Sequence, residues 1–395
     1  MAQIRLLELR NTYKWGGGPD KTILLSAEQH DRSRVSVVVA YIRDVRDREF
    51  LITEMARSRG LLYYEILEKG KFDPQVVKTI RDIVVKHDIN LIHSHDYKSD
   101  LFAYLVRHWL WRRHIALIST AHAWVMLGLK GEIYRRLDLF LMRRFDHLIA
   151  VSKATKSEML TAGVPESKIS VIHNGIDTKA WSPEMIGTTL REELNISSST
   201  PVVGYVGRIM PEKDLMSWLK AAALVTKKFP EARFVLVGEG RDDTTLHELQ
   251  TLVSTLEISE HVIFLGHRYN LLPVYSAFDI FLLSSLREGL PNSILEAMAL
   301  GLPVVTTDVA GAKELVVDGE TGFVVPQKDP EKLAKAVLAI LANKKIRRRM
   351  SQAGRGRVES EFSFPLRLKR VEDLYDHVLG LDSYGSSSSN QAVAY

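Results

Sequence analysis

Short runs of aliphatic and β-branched residues alternate along this chain with segments whose apolar residues recur every three or four positions. In the first half the runs are IRLLEL (4–9), RVSVVVAY (34–41), LLYYEI (61–66), NLIHSH (90–95), IALISTAH (115–122), HLIAVS (147–152) and ISVIHN (169–174). Between them, DPQVVKTIRDIVVKHD (73–88) carries helical spacing. Continuous apolar strands separated by such helices predict a parallel sheet covered on both faces. The second half repeats the plan with PVVGYVGR (201–208), ARFVLVGEG (232–240), HVIFLG (261–266), DIFLLSS (279–285) and PVVTTD (303–308), and beyond Pro330 it is nearly all helical. The expectation is an α/β chain of two doubly wound domains facing each other across a cleft, with ligands at the strand C-termini.

Pro, Gly and a Ser/Thr cluster in 178–200 place the connection there, giving domains at 1–180 and 181–360. The segment 361–382 reads as a C-terminal helix, and SYGSSSSNQAVAY (383–395) as a low-complexity, disordered tail. Cys is absent, which excludes disulfides, thiolate metal sites and a cysteine nucleophile, and fits a reducing compartment. The apolar run at the N-terminus is too short for a signal sequence, and no stretch reaches the roughly 20 apolar residues of a membrane span. A cytoplasmic location is therefore expected. Charge is uneven: residues 1–180 hold 29 Lys+Arg against 21 Asp+Glu, a net of +8, and residues 181–395 hold 24 against 27, a net of −3. The basic half suits an anionic partner.

Candidate chemistry concentrates in a few loops. LREGLPNSILEAMALG (286–301) sets Glu288 ahead of a Gly-Leu-Pro turn and Glu296 inside the following helix. Pro291 suits a first helical position, and a helix start there aims free N–H groups outward as an anion site. Two carboxylates beside that site can accept hydrogen bonds from hydroxyls attached to the anion; acidic residues near a helix start have the same spacing without any ligand. VGRIMPEKD (206–214) ends a strand on Arg208 and places Lys213 five residues on. Two such cations can clamp a diphosphate, and the spacing equally fits a solvated Lys213 with Arg208 paired to an acid. WGGGPD (15–20) lacks the third glycine of G-x-G-x-x-G at Lys21, and VGEGRDD (237–243) lacks it at Asp243. His122 ends a strand next to Trp124, and IHNGID (172–177) has an Asn-Gly turn signature. There is no D-x-D, and no His pair is read as having ligand spacing, so no bound metal is expected.

Taken in order, these elements resemble the retaining glycosyltransferases of family 4, with the GT-B fold of two Rossmann-like domains. The resemblance spans about residues 1–380. It rests on Glu288 and Glu296 around the Gly-Leu-Pro turn, on Gly207, Arg208 and Lys213, on Gly16–Gly18, on Thr120 and His122, and on Asn174–Asp177. It implies an N-terminal acceptor domain, a C-terminal nucleotide-sugar domain and a final helix returning to the first domain. Glu296 would take the ribose hydroxyls and Glu288 the transferred sugar. Gly289, Leu290, Asn292 and Ser293 would hold both, and Gly17 and Gly18 would approach the donor. Arg208 and Lys213 would hold the diphosphate, Arg268 would lie where the base is read, and His122 would sit by sugar and acceptor. His122, Glu288, Arg208 and Lys213 are thus the catalytic candidates. The donor would be a UDP- or GDP-sugar, with no metal required. Three glycines followed by Pro-Asp depart from the family's usual pair.

The acceptor class is read from charge. LVRHWLWRR (105–113) sets Trp109 and Trp111 among Arg107, Arg112 and Arg113, and YRRLDLFLMRRF (134–145) mixes Arg135, Arg136, Arg143 and Arg144 with large apolar residues. Such segments suit an anionic membrane surface. They point to a lipid-linked or phospholipid acceptor and to peripheral association with the inner face of the cell membrane, with solvated helices and a soluble acceptor as the alternative. A sugar-nucleotide epimerase of the same fold and a glycoside hydrolase fit the Glu–Glu pattern less well, and no nucleic-acid-binding motif is present.

Overall fold

In the computed structural model, residues 3–381 are described apart from 15, 71, 123–135, 137, 186–189 and 241–242. Trp124, Arg135 and the 383–395 tail therefore lie outside the described residues, as do 241–242 of the second glycine loop. The chain forms two compact units. One comprises residues 1–151, 155–172 and 367–395, the other 152–154 and 173–366. The change of unit falls ahead of the segment 178–200, which belongs to the second unit.

The first unit holds seven parallel strands: β1 (Ile4–Asn11), β2 (Val35–Asp44), β3 (Tyr63–Glu68), β4 (Leu91–Ser94), β5 (Ala116–Ala121), β6 (His147–Ala150) and β7 (Ile169–Val171), in the order β3-β2-β1-β4-β5-β6-β7. The expected apolar runs are all strands: β1, β2 and β3 extend past them at their C-terminal ends, and β4 to β7 are shorter. Helices α1 (Gly18–Gln29), α2 (Ile52–Ser58), α3 (Pro74–Lys86) and α4 (Tyr97–Trp109) connect the first five. α3 follows its sequence pattern closely. The Asp73 carboxylate accepts the Gln75 N–H at 2.9 Å, Pro74 opens the first turn, and Val76, Val77, Ile80, Ile83 and Val84 are buried as one stripe. α4 starts on Asp96, whose side chain accepts the N–H groups of Lys98 and Ser99. From Arg367 the C-terminal helix packs on this unit, where Val371, Leu374 and Tyr375 share a core with Ile4, Leu6, Leu91 and Ile149.

The second unit holds six parallel strands: β8 (Val202–Val206), β9 (Arg233–Val237), β10 (Val262–Phe264), β11 (Ile280–Leu283), β12 (Val304–Thr307) and β13 (Gly322–Val325), in the order β10-β9-β8-β11-β12-β13. β13 was not legible in the sequence, because four residues opening on glycine at a sheet edge carry too little apolar signal. In each sheet the order reverses beside the first strand, between β1 and β4 and between β8 and β11. Loops leaving those strands diverge there and open a crevice at their C-terminal ends, where open α/β sheets bind ligands. No helix among the described residues is long and apolar enough to cross a membrane.

Candidate functional site

In the second unit the reversal between β8 and β11 gathers most of the sequence candidates. Arg208 lies two residues past the end of β8, is exposed, and has no ion-pair partner among the described residues. Lys213 ends a short 3-10 turn, Pro211–Lys213. Its ammonium is not free in solvent: Nζ lies 2.6 Å from Oε1 of Glu288. The Ser285 hydroxyl donates to the same oxygen at 2.6 Å, which leaves Glu288 Oε2 for another donor. Ser284, also just past β11, donates to the carbonyls of Lys213 and Asp214 and ties the turn to the strand. The alternatives left open by spacing are thereby resolved in an unexpected way, since it is Lys213, not Arg208, that pairs with an acid.

The helix beyond the Gly-Leu-Pro turn runs Asn292–Ala299, with Pro291 as its N-cap rather than its first residue. The N–H groups of Asn292 and Ser293 precede the first intrahelical acceptor and point away from the helix. Leu290 is buried and anchors the turn, and Gly289 and Ser293 are half-buried. Glu296 is 6% exposed, and Tyr275 donates its hydroxyl to Glu296 Oε2 at 2.8 Å. Burial, followed by the Glu296 charge, pushes the Tyr275 phenol well above its ordinary range, so it stays a donor. Tyr275 was missed in the sequence: a lone tyrosine in the short helix Leu272–Ser276 looks like core. Asn174 is buried and gives Nδ2 to Asn292 Oδ1 at 2.8 Å. The Asn-Gly-Ile-Asp segment thus orients the helix start, while Ile176 exchanges backbone hydrogen bonds with Phe362 and Phe364.

Arg268 is not brought to this group. Its guanidinium lies 2.6 Å from Glu193 in a partly exposed ion pair. Gly311, by contrast, supports the turn closely: a Cβ there would lie 1.9 Å from the Gly289 carbonyl oxygen. Gly311→Ala is expected to push the Gly289–Leu290 turn outward, costing about 1–3 kcal/mol as overpacking does. Gly356→Ala, in a helix with open space around it, should be neutral or stabilising. Thermal unfolding of the two variants checks this, and equal Tm values would refute it.

In the first unit the glycine loop follows β1 and its third glycine opens α1. Gly16 is in the left-handed region (φ 69°), and a Cβ on it would meet Asp20 at 2.7 Å. Gly17 is the N-cap, and its N–H donates to Asp20 Oδ2 at 2.6 Å. Arg10 holds the other Asp20 oxygen at 2.7 Å. His122 follows β5, and both its ring nitrogens are buried with no hydrogen-bond partner among the described residues. Burial, then the Arg10 charge, holds it well below the usual histidine range, so the ring is neutral near pH 7.

Next to it stands a cluster that sequence reading passed over. Glu8 on β1 and His93 and His95 at the end of β4 are buried, and their ligand atoms lie within 4.8 Å of one another. His95 Nε2 is 2.6 Å from Glu8 Oε2. His93 bridges Tyr375 at 2.6 Å and Thr120 at 2.7 Å. The His95 ring stacks on His122 with centroids 5.7 Å apart. The expectation that no His pair has ligand spacing is corrected here, because His93-Ser-His95 puts both rings on one face of the strand. By distance the three could hold a cation. Both His93 nitrogens are already hydrogen-bonded, however, and the Arg10 and Arg367 charges act on His95. Burial keeps these imidazoles neutral, which is the ligating form, and it is the nearby Arg10 and Arg367 charges that oppose a divalent cation.

The comparisons follow the division into units. The family described as Glycosyltransferase Family 4 matches residues 16–180, and Glycosyl transferases group 1 matches 187–357. A GDP-mannose-dependent monoacylated alpha-(1-6)-phosphatidylinositol monomannoside mannosyltransferase of Corynebacterium glutamicum is 30% identical, over 65% of this chain and 69% of its own. The Escherichia coli UDP-Gal:alpha-D-GlcNAc-diphosphoundecaprenol alpha-1,3-galactosyltransferase is 25% identical, over 89% and 90%. Among solved structures, Anabaena HepE in complex with UDP-glucose superposes with a TM-score of 0.82 at 21% identity, over 95% of this chain and all of that one. Sequence and fold agree, and the chain belongs to the group 1 glycosyltransferases of family 4, enzymes of the GT-B fold.

Proposed function

We infer that this glycosyltransferase moves a sugar from a UDP- or GDP-sugar to a lipid-linked acceptor, with retention of anomeric configuration and without a metal. The observation that carries this reading is the Lys213–Glu288 pair beside Arg208 at the strand reversal of the second unit. A cation and a carboxylate held 2.6 Å apart suit a ligand carrying phosphate and hydroxyls side by side, as a sugar diphosphate does. In the reaction the bond from sugar C1 to the diphosphate oxygen breaks with its electron pair on the diphosphate. The acceptor oxygen bonds C1 on the same face, and its proton passes to a diphosphate oxygen. Arg208, Lys213 and the amides of Asn292 and Ser293 stabilise the departing charge. Glu288 holds the sugar hydroxyls, and Glu296, fixed by Tyr275, holds the ribose. Neutral His122, in the first unit, can hydrogen-bond a hydroxyl of an acceptor bound there.

The lipid-linked acceptor is supported by the two relatives, whose names place their acceptors on diphosphoundecaprenol and on phosphatidylinositol mannoside. A donor screen against short-chain lipid diphosphate sugars, phospholipid glycosides and free sugars, read by mass spectrometry, tests it. Release of nucleoside diphosphate should require acceptor, and NMR of the product should show the donor's anomeric configuration. Activity should survive EDTA. Inverted linkage or full inhibition by chelator would overturn the mechanism, and transfer only to free sugars would overturn the acceptor class.

A further inference from the structure

The face of the first sheet that the C-terminal helix covers changes character along its strands. At their starts it is apolar: Ile4 and Leu6 on β1, Leu91 on β4 and Ile118 on β5 pack with Val371, Leu374 and Tyr375. Side chains two residues further on share that face. There it turns polar, with Glu8, His93 and Thr120, followed by His95 and His122 just past β4 and β5. The pairing of β1 with β4 sets Glu8 opposite His93. Glu8, His93, His95, Thr120 and Tyr375 are all buried. Of this group only His122 has a part in the proposed transfer.

Counting protons gives the hydrogen bonds of this group their directions. Burial, above all, holds His93 and His95 neutral, so each ring has one N–H and one bare nitrogen. Arg367 is buried too, and Glu8 is among the charges acting on it. A guanidinium keeps its proton, so at mildly alkaline pH Glu8 stands opposite it as a carboxylate, which can only accept. His95 Nε2, 2.6 Å away, donates to it, and so does the Tyr375 hydroxyl. With its one proton given to Glu8, Tyr375 accepts from His93 Nδ1 at 2.6 Å. His93 Nε2 is then the bare nitrogen and accepts from the Thr120 hydroxyl at 2.7 Å. Nδ1 of His95 is left over, without a partner among the described residues. The His122 ring stacked on it, 5.7 Å away and inclined by 26°, has no hydrogen bond of its own among those residues to fix its plane. We propose that Tyr375 is a positioning residue for transfer: the chain Thr120–His93–Tyr375–Glu8–His95 holds His95 as its Nε2–H tautomer, and the fixed His95 ring sets the plane in which His122 meets the acceptor hydroxyl. A ring bonded in this way cannot flip, so a neighbour that leans on it has one plane to lie in. The inference rests on the reading of His122 as an acceptor contact and extends that site back to the last helix of the chain.

Long-range proton–nitrogen NMR spectra of the histidine-labelled full chain at mildly alkaline pH, assigned through single variants, read the tautomers directly. Wild-type His95 should carry its proton on Nε2 and His93 on Nδ1. Tyr375→Phe keeps the ring and removes the hydroxyl, so His93 should become a mixture of both forms. Glu8→Gln, whose amide can donate as well as accept, should populate the Nδ1–H form of His95. Transfer to a short-chain lipid diphosphate sugar should fall roughly ten- to a hundredfold in kcat/KM for that acceptor in both variants, the effect of a broken buried hydrogen bond. KM for the sugar nucleotide should not change. Val371→Ala, one turn earlier on the same helix, removes packing without touching the chain of hydrogen bonds. It should lower Tm and leave the tautomers and the kinetics as in the wild type. A proton on His95 Nδ1 in the wild type, tautomers that ignore both variants, or an equal loss of acceptor kinetics in Val371→Ala would overturn the proposal. Full transfer by His122→Asn, or none by the wild type, would instead count against the acceptor reading, and the tautomers would still decide the chain.

Discussion

Lys213→Ala is expected to lower kcat/KM for the sugar nucleotide by roughly 10²–10³-fold, with most of the loss in kcat. A preorganised donor at a developing oxyanion contributes about 2.7–4 kcal/mol, and Lys213 sits at the end of the crevice where the proposed diphosphate charge grows. The loss has two sources that can be separated. One is the missing cation; the other is Glu288, left with Ser285 alone in a position only 11% exposed. A carboxylate stranded in that way costs stability and repels phosphate. Adding Glu288→Gln to Lys213→Ala removes the stranded charge, so Tm should recover while kcat does not. Arg208→Ala is expected to lose about ten- to a hundredfold, because an exposed guanidinium gives up a charge-assisted contact worth about 1.5–3 kcal/mol. Glu296→Gln should fall in the same range, with Tyr275 then left facing an amide. Steady-state kinetics with unfolding controls decide the matter: unchanged kcat/KM in folded Lys213→Ala and Arg208→Ala would sink the diphosphate assignment.

What the sequence made legible, and what it hid, follows from how local each signal is. Strands β1 to β12 could be read because each carries a short run of aliphatic, aromatic or β-branched residues, a property of consecutive residues. β13 escaped because its burial comes from its neighbour β12, not from its own four residues. The same distinction runs through the site. Arg208, Lys213, Glu288 and Glu296 could be named from spacing along the chain, since a strand, a turn and a helix start fix where each residue falls. The Lys213–Glu288 ion pair could not, because it joins residues 75 apart that meet only where β8 and β11 lie side by side. Tyr275 and Asn174 act on Glu296 and Asn292 across 21 and 118 residues of sequence. Arg268 shows the reverse case: it follows β10 as its place in the chain suggests, and Glu193 from another element, 75 residues away, pairs with it. His93 and His95 were on the page as a strand end, yet their meaning depends on Glu8 in β1 and Tyr375 in the last helix, each brought alongside only by folding.

That buried cluster sets a second large effect, on stability. Acidification from pH 6.5 to 4.5 is expected to destabilise the first unit. His93, His95 and His122 are all held well below the ordinary histidine range, chiefly by burial. In the unfolded chain each takes up a proton near pH 6.5, while in the folded unit each stays neutral far below that. The unfolded state therefore binds up to three more protons in this window, and stability falls as pH falls. Burial works in the opposite sense on Glu8 and Asp100, whose carboxyls are pushed up and keep protons that the unfolded chain releases above its ordinary carboxylate range. Glu68 acts with these carboxyls, and His87 and His147 act with the histidines, so the histidines outnumber the carboxyls, and each proton of net difference corresponds to about 1.4 kcal/mol per pH unit. His122 has no hydrogen-bond partner among the described residues, so His122→Asn disturbs the least packing while removing one of the three. Its Tm should decline less steeply than that of the wild type over the same window. Calorimetry of both proteins between pH 7.5 and 4.5 measures this, and a wild-type Tm that holds or rises on acidification would show that the histidines are not buried in their neutral form.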